Sequence, residues 1–330
     1  MEDYQIRHTP KPGKLTICYI TSRQDPKFAW FARSLNQQVE EFETLPEIQV
    51  LVVDSWLKGR GKASSGRGLK FRSSSPFKFK HLSPKPTPWQ GPHRLTSVDY
   101  FAPSNARNTG LCHAEGEYIV FVDDLSVLLP GWLKGVLQAM SEKVVLAGAF
   151  QKVKQLEVDK TGKVTKFIPF DAGKDARELH FAQDKRTLIN PGSLFGCTLG
   201  VPLEGVFKVN GFDEDCDSMG AEDYAFGLML QQHGYQTWYD PFVRTFESEE
   251  GHHVKTDVCK RIIKKTADPA RIDYSHVFLD FLLKGRSVAP NYFFGGSLAA
   301  QRDIILDGGA FNDSVNPHHD WRDGQPLTEM

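Results

Sequence analysis

The sequence predicts an α/β protein: a mixed central sheet flanked by helices, with a helical extension at the C-terminal end. Three observations carry that expectation. Short β-rich runs alternate with amphipathic segments from Leu15 onward, one apolar strand delivers two adjacent carboxylates at Asp123 and Asp124, and a second acidic pair, Glu222 and Asp223, opens a helix about a hundred residues later.

The elements follow in order. Leu15 to Thr21 (LTICYIT), after Pro12 and Gly13, reads as the first strand. Phe28, Phe31, Leu35, Val39 and Phe42 recur at helical spacing, so an amphipathic helix is expected over that span. Ile48 to Val53 (IQVLVV) is a buried strand ending on Asp54, and strand, helix, strand implies a parallel pair. From Lys58 to Pro92 the chain turns rich in Gly, Ser, Pro and Lys, which reads as a long loop anchored by Phe71, Phe77, Phe79 and Trp89.

A helix from Pro103 to about Ala114, N-capped by Ser104, precedes the strand Tyr118 to Val122 and its two acids. Pro130 opens a helix running through Met140. Val144 to Val158 and Val164 to Ile168 flank a turn at Asp159 to Gly162, a hairpin pattern that makes the sheet mixed. Phe195 to Val201 reads as a strand, Pro202 to Val209 as a short helix, and Glu222 to His233 as a longer one. Gln236 to Tyr239 and Val243 to Phe246 read as two closing strands. Residues 1–255 are taken as one domain with a basic insertion at 57–98, and 256–330 as the helical extension with a polar tail from Asn312.

Net charge is −1 over 330 residues, yet Trp56 to Val98 holds ten Lys or Arg, two His and no Asp or Glu. Five cysteines, Cys18, Cys112, Cys197, Cys216 and Cys259, are scattered without a CxxC pair, which argues against a disulfide framework or a zinc knuckle. No apolar run suits a signal or a membrane span, so a cytoplasmic protein without integral membrane association is expected.

Two carboxylates at the C-terminal end of a sheet strand suit a hard divalent cation that also bridges phosphate oxygens, although acidic pairs also solvate ordinary loops. Glu222 and Asp223 at a helix N-terminus fit plain capping, and equally a general base at Asp223 fixed on a rigid element. The fork of Arg107 suits a diphosphate, with a surface ion pair as the competing reading. His252 and His253 could complete a metal site, with His318 and His319 as weaker rivals in the tail.

The phrase ARNTGLCHAEGEYIVFVDD resembles the first signature of family-two-like glycosyltransferases of GT-A fold, and NGFDEDCDSMGAEDYAFGLMLQQHGY resembles their second. The resemblance covers about Leu15 to His253 and implies a Rossmann-like nucleotide-sugar-binding sheet. It further implies that Thr21, Ser22 and Asp54 hold the nucleotide base, usually uracil, while Arg107 and Asp123 serve the nucleotide-sugar. Asp124 with His252 or His253 would hold Mn2+ or Mg2+, Asp223 would be the catalytic base of an inverting transfer, and Glu222 would orient the acceptor. Leu125 departs from the D-x-D pattern, and Asn210 stands where many relatives have glycine.

The basic segment suggests a polyanionic acceptor. Lys58, Arg60, Lys62, Arg67, Lys70, Arg72, Lys78, Lys80 and Arg94, interleaved with aromatics, suit a phosphate backbone with stacked bases. KPTPWQGPHRLT before the first signature also looks like phage-encoded glycosyltransferase-like proteins, for which a 5-hydroxymethylpyrimidine base in DNA is an attractive acceptor. A saccharide or protein acceptor is the alternative, as is a nonenzymatic nucleic-acid-binding protein, which would leave the four acids unexplained. A P-loop is unsupported, because Gly61 and Lys62 are followed by Ala63 and Trp56 stands where the leading glycine belongs.

Overall fold

The computed structural model describes residues 6–23, 25–55, 69, 75–87, 90, 102–181, 184–217, 221–249 and 297–309. Its centre is one mixed sheet. In chain order the strands are β1 (Lys11–Thr21), β2 (Glu47–Asp54), β3 (Lys78–Leu82), β4 (Gly116–Asp123), β5 (Ser126–Leu128), β6 (Val145–Val158), β7 (Val164–Lys174), β8 (Thr187–Leu188), β9 (Thr198–Pro202) and β10 (Thr237–Ser248). Across the sheet the order is β3-β2-β1-β4-β9-β6-β10-β5, with β7 paired to β6 and β8 to β10. The first four run parallel, β9 lies antiparallel between β4 and β6, and β10 runs parallel to β6.

The central strands are apolar on both faces because both faces are covered. Leu15, Ile17 and Tyr19 of β1 pack with Val50 and Val52 against α1 (Phe28–Val39), beside Trp132, Leu133 and Val136 of a second helix. Cys18, Ile20, Leu51, Val53, Ile119 and Phe121 point to the opposite face. There they meet α2 (Pro103–His113), α4 (Leu203–Lys208), α5 (Glu222–Gln232) and α6 (Leu298–Leu306). The helix between α2 and α4 in sequence, α3, spans Trp132–Glu142.

Three expectations are corrected. The segment expected to be all loop contributes β3, an edge strand parallel to β2 in which Phe79 turns toward Phe28, with ring centroids 6.1 Å apart, while Lys78 and Lys80 stay outside. The two closing strands are one: β10 runs through Pro241, and the register shift between Asp240 and Arg244 absorbs a residue that has no N–H to give to the ladder. Ser104 does not cap α2 with its side chain; Ala102 is the N-cap, and the Asp217 carboxylate accepts from the Ser104 and Asn105 amides at 2.6 and 3.0 Å.

Two charge clusters hold elements together away from the acidic edge. At the N-terminal ends of the parallel strands, the buried Lys14 ammonium lies 2.5 Å from Glu47 and 2.7 Å from Glu115. Burial opposes ionisation of Glu115, but bonds from Lys14 and Lys78 outweigh it and bring its pKa down to about 2. On the α2 side, Lys85 and Glu214 form an ion pair of 2.6 Å with both side chains 0% exposed, and Asn108 donates to the same Glu214 oxygen at 2.8 Å. Among the described residues no helix is long and apolar enough to cross a membrane.

Candidate active site

The parallel strands β1, β2 and β4 end together on Thr21, Asp54 and Asp123, which puts three polar groups along one sheet edge. The turn after β4 sets the acids apart. Leu125 adopts φ 58°, its amide donates to the Pro26 carbonyl at 3.1 Å, and its carbonyl accepts from Ser248 at 3.1 Å. Its side chain is buried. The third position of a D-x-D pattern therefore faces the core, where an acid would be costly, and Leu fits.

Asp123 and Asp124 each meet an arginine. Arg23 Nε donates to Asp124 Oδ1 at 2.9 Å and the Thr21 hydroxyl donates to Oδ2 at 2.7 Å. Burial raises the Asp124 pKa against the pull of Arg23 and Thr21. Arg107 Nη2 lies 3.3 Å from Asp123 Oδ1, whose side chain is 36% exposed.

Arg107 is carried on α2, whose start is fixed by Pro103 in the first turn and by the Asp217 cap. Its guanidinium is buried, packs 5.4 Å from the Phe212 ring centroid, and donates to Glu222 Oε1 at 2.7 Å. Burial works against its charge, but Asp123, Glu222 and Asp223 together overcome that and raise its pKa. Gly196 is the close neighbour that makes room: a Cβ there would run into the guanidinium.

Asp223 sits in the first turn of α5, entered through Ala221 at φ 67°. Its two oxygens accept from the Gly196 and Tyr224 amides, each at 2.8 Å. Burial, with Glu222 beside it, pushes its pKa up to about 6 against Arg107 and the two amides. Arg107, Asp123, Glu222 and Asp223, widely separated in sequence, thus form one connected group at the sheet edge.

The other expected residues are distributed differently. Asp54 is fully buried and lies 2.9 Å from His81 Nε2, and Ser22 is partly buried beyond the end of β1. Lys78 is 2.8 Å from Glu115 and Lys80 is 3.0 Å from His113, both at the opposite end of the sheet from Asp123. Lys58, Arg60, Lys62, Arg67, Lys70, Arg72, Arg94, His252, His253, His318 and His319 lie outside the described residues.

Four residues escaped the sequence reading: Arg23, His81, Asp217 and Glu247. Glu247, near the end of β10, is buried, and burial plus the charge of Asp123 pushes its pKa up to about 8. The run Glu247, Glu249, Glu250 was its only sequence signal, and it reads equally well as a solvated loop.

Of the ligands that the resemblance implies for a divalent cation, only Asp124 lies among the described residues; His252 and His253 lie outside them. Among the described residues no group of three His, Cys, Asp or Glu is placed to hold a metal ion, Asp124 is matched by Arg23 and Thr21, and Leu125 turns inward.

Residues 97–199, which span α2, the acid strand and β9, match the family described as Glycosyl transferase family 2. No curated protein matches the sequence. Among solved structures, S. aureus TarS 1–349 is similar at a TM-score of 0.46 and 15% identity, over 72% of this chain and 60% of that one. GalNAc-T7, crystallised with UDP, GalNAc and Mn2+, is similar at 0.45 and 12%, over 71% and 43%. The chain therefore spans about 60% of the length of the TarS fragment. Arg107 and the Asp123–Asp124 pair lie inside the matched stretch, so over residues 97–199 the chain is similar to the Glycosyl transferase family 2 family, on a mixed α/β sheet whose acids stand at the strand ends.

Proposed function

We propose that the protein transfers a sugar from a nucleotide-sugar, a UDP-sugar, to an acceptor hydroxyl with inversion at the anomeric carbon. The observation that carries this reading is Asp223: a carboxylate held by two amides at 2.8 Å, with its pKa pushed up to about 6, beside the Arg107–Asp123–Glu222 group. A base with that pKa is ionised at neutral pH yet still able to take a proton. Asp223 removes the hydroxyl proton as the acceptor oxygen attacks the anomeric carbon. The bond to the diphosphate breaks on the opposite side, and its electron pair leaves with the diphosphate, whose charge Arg107 helps to offset.

The acceptor is a hydroxyl compound. The basic segment suggests a 5-hydroxymethylpyrimidine in DNA, but of its described cations Lys78 and Lys80 are engaged by Glu115 and His113 and Lys85 by Glu214, which does not favour it over a saccharide. The test is incubation with UDP-sugars and a panel of glycan and hydroxymethylated DNA acceptors, with and without Mn2+ or Mg2+, read by product mass. Sugar transfer, or slow UDP-sugar hydrolysis, that falls by about 10²–10⁴ in Asp223→Asn supports the reading. Transfer at near wild-type rate in that variant refutes the assigned base.

A further inference from the structure

One strand of the sheet runs past the edge on which the acids stand. β9 lies antiparallel to both β4 and β6, so β6 runs in the direction of β4; Val120 and Leu146 both oppose Gly200, and β6 has therefore passed the level of Asp123 by Phe150. β10 accompanies it as far as Val153, and beyond that residue β6 pairs with β7 alone among the described residues. Residues 154–168 thus form a two-stranded arm beside the acidic edge. Its turn is closed by Asp159 Oδ1, which accepts from the Thr161, Gly162 and Lys163 amides.

The arm is apolar on a face that water reaches. Side chains alternate along a strand, so Lys166, Ile168 and Phe170 share one face of β7, and Ile168 and Phe170 are 39% and 37% exposed. Phe167, on the other face with its ring centroid 4.9 Å from that of Phe246, is 41% exposed as well. Cations surround these side chains. The Lys154 ammonium lies 6.0 Å from the Phe170 centroid, and with Lys160, Lys163 and Lys166 the arm carries four lysines against Glu157 and Asp159. Glu157 meets Lys166 at 3.4 Å with the two side chains 64% and 65% exposed, a pair that water loosens, and Asp159 is turned into its own loop.

We propose that this arm seats the protein on an anionic lipid surface, with Phe167, Ile168 and Phe170 entering the boundary between headgroups and acyl chains and the lysines remaining among the headgroups. Apolar side chains ringed by lysine suit that boundary: the apolar part leaves water, while the flexible ammonium groups stay hydrated and attract anionic lipid. A second copy adding a strand to β7 is a poorer match, because Pro169 has no N–H to give and lysine is a residue with which open sheet edges resist pairing. A protein partner would have to immobilise the lysines, a residue depleted from such interfaces. Since the arm projects past Asp123, the contact turns the acidic edge toward the lipid surface and toward hydroxyls displayed on it. The contact is independent of which hydroxyl the site attacks.

The experiment is co-sedimentation of the full chain with vesicles of phosphatidylcholine alone and of phosphatidylcholine mixed equally with phosphatidylglycerol. Wild type is expected on the mixed vesicles, less on phosphatidylcholine alone, and less again as salt is raised. The double variant Ile168→Ser with Phe170→Ser should lower partitioning at least about tenfold, and Lys154→Gln or Lys166→Gln about fivefold each. These four positions are exposed, and a wild-type thermal unfolding transition shows that each variant still folds. Wild type left in the supernatant with both kinds of vesicle overturns the inference, as does binding that the double variant leaves unchanged. A dimer in sedimentation velocity that the double variant turns into monomer, with no vesicle binding by wild type, assigns the face to a second copy and overturns it too.

Discussion

Replacing Asp223 by Asn should change stability in a way that depends on pH, because the native state holds this carboxylate in unfavourable surroundings. Burial and Glu222 move its pKa from an ordinary 3.8 to about 6. The folded pKa lies above the unfolded one, so the native state binds the proton more tightly. The side chain therefore costs nothing below about pH 3.8 and progressively destabilises the fold as pH rises through about 6. At 1.36 kcal/mol per pH unit the full cost is about 3 kcal/mol, of which about 2 kcal/mol develops between pH 4.5 and 7.5. Asn cannot ionise, but its amide nitrogen must face one of the two backbone N–H groups that Asp223 accepts from, a penalty of about 1–3 kcal/mol that does not vary with pH. Urea unfolding of both proteins across that range isolates the titrating part: wild type minus variant should fall by about 2 kcal/mol from pH 4.5 to 7.5. A difference flat with pH would refute the account of the carboxylate's environment, whatever the variant does to catalysis.

Three further outcomes test the surrounding architecture. Lys85→Met leaves Glu214 without its 2.6 Å partner in a fully buried place, and should cost about 3–5 kcal/mol in urea unfolding. Asp217→Ala removes the cap from the Ser104 and Asn105 amides, so a loss of about 1–2 kcal/mol is expected, together with a raised KM for the nucleotide-sugar because α2 carries Arg107. Gly196→Ala drives a methyl group into the Arg107 guanidinium; about 1–3 kcal/mol of stability should be lost and UDP affinity should fall, both measurable on the same preparation.

Much of the fold could be read from the chain because its apolar pattern is strong where both sheet faces are covered. Strands β1, β2 and β4, the hairpin of β6 and β7, and helix α5 lie where the pattern put them, although β7 runs on to Lys174 rather than ending at Ile168. Strand β3 was hidden because an edge strand needs few inward residues: Phe79 among lysines does not stand out in a stretch rich in Gly, Ser and Pro. Pro241 broke β10 on paper, although a bulge tolerates proline. The acids at 123, 124, 222 and 223 were visible as motifs. Arg107 and Thr21, which meet them, were visible too, but Arg23, which meets Asp124 across a sequence gap of 101 residues, and Asp217, which caps a helix 113 residues earlier, were not. Such contacts depend on topology rather than on local spacing.

That last contact bears on how this scaffold can be rebuilt. The loop carrying Glu214 and Asp217 grips the first turn and the middle of α2, through the Ser104 amide and the Asn108 side chain. The helix that bears Arg107 and the block that leads into Asp223 are therefore one transplantable unit rather than two. A chimera that imports a foreign 103–113 helix while keeping the native 210–217 loop would join mismatched halves, whereas exchanging both together preserves the seam.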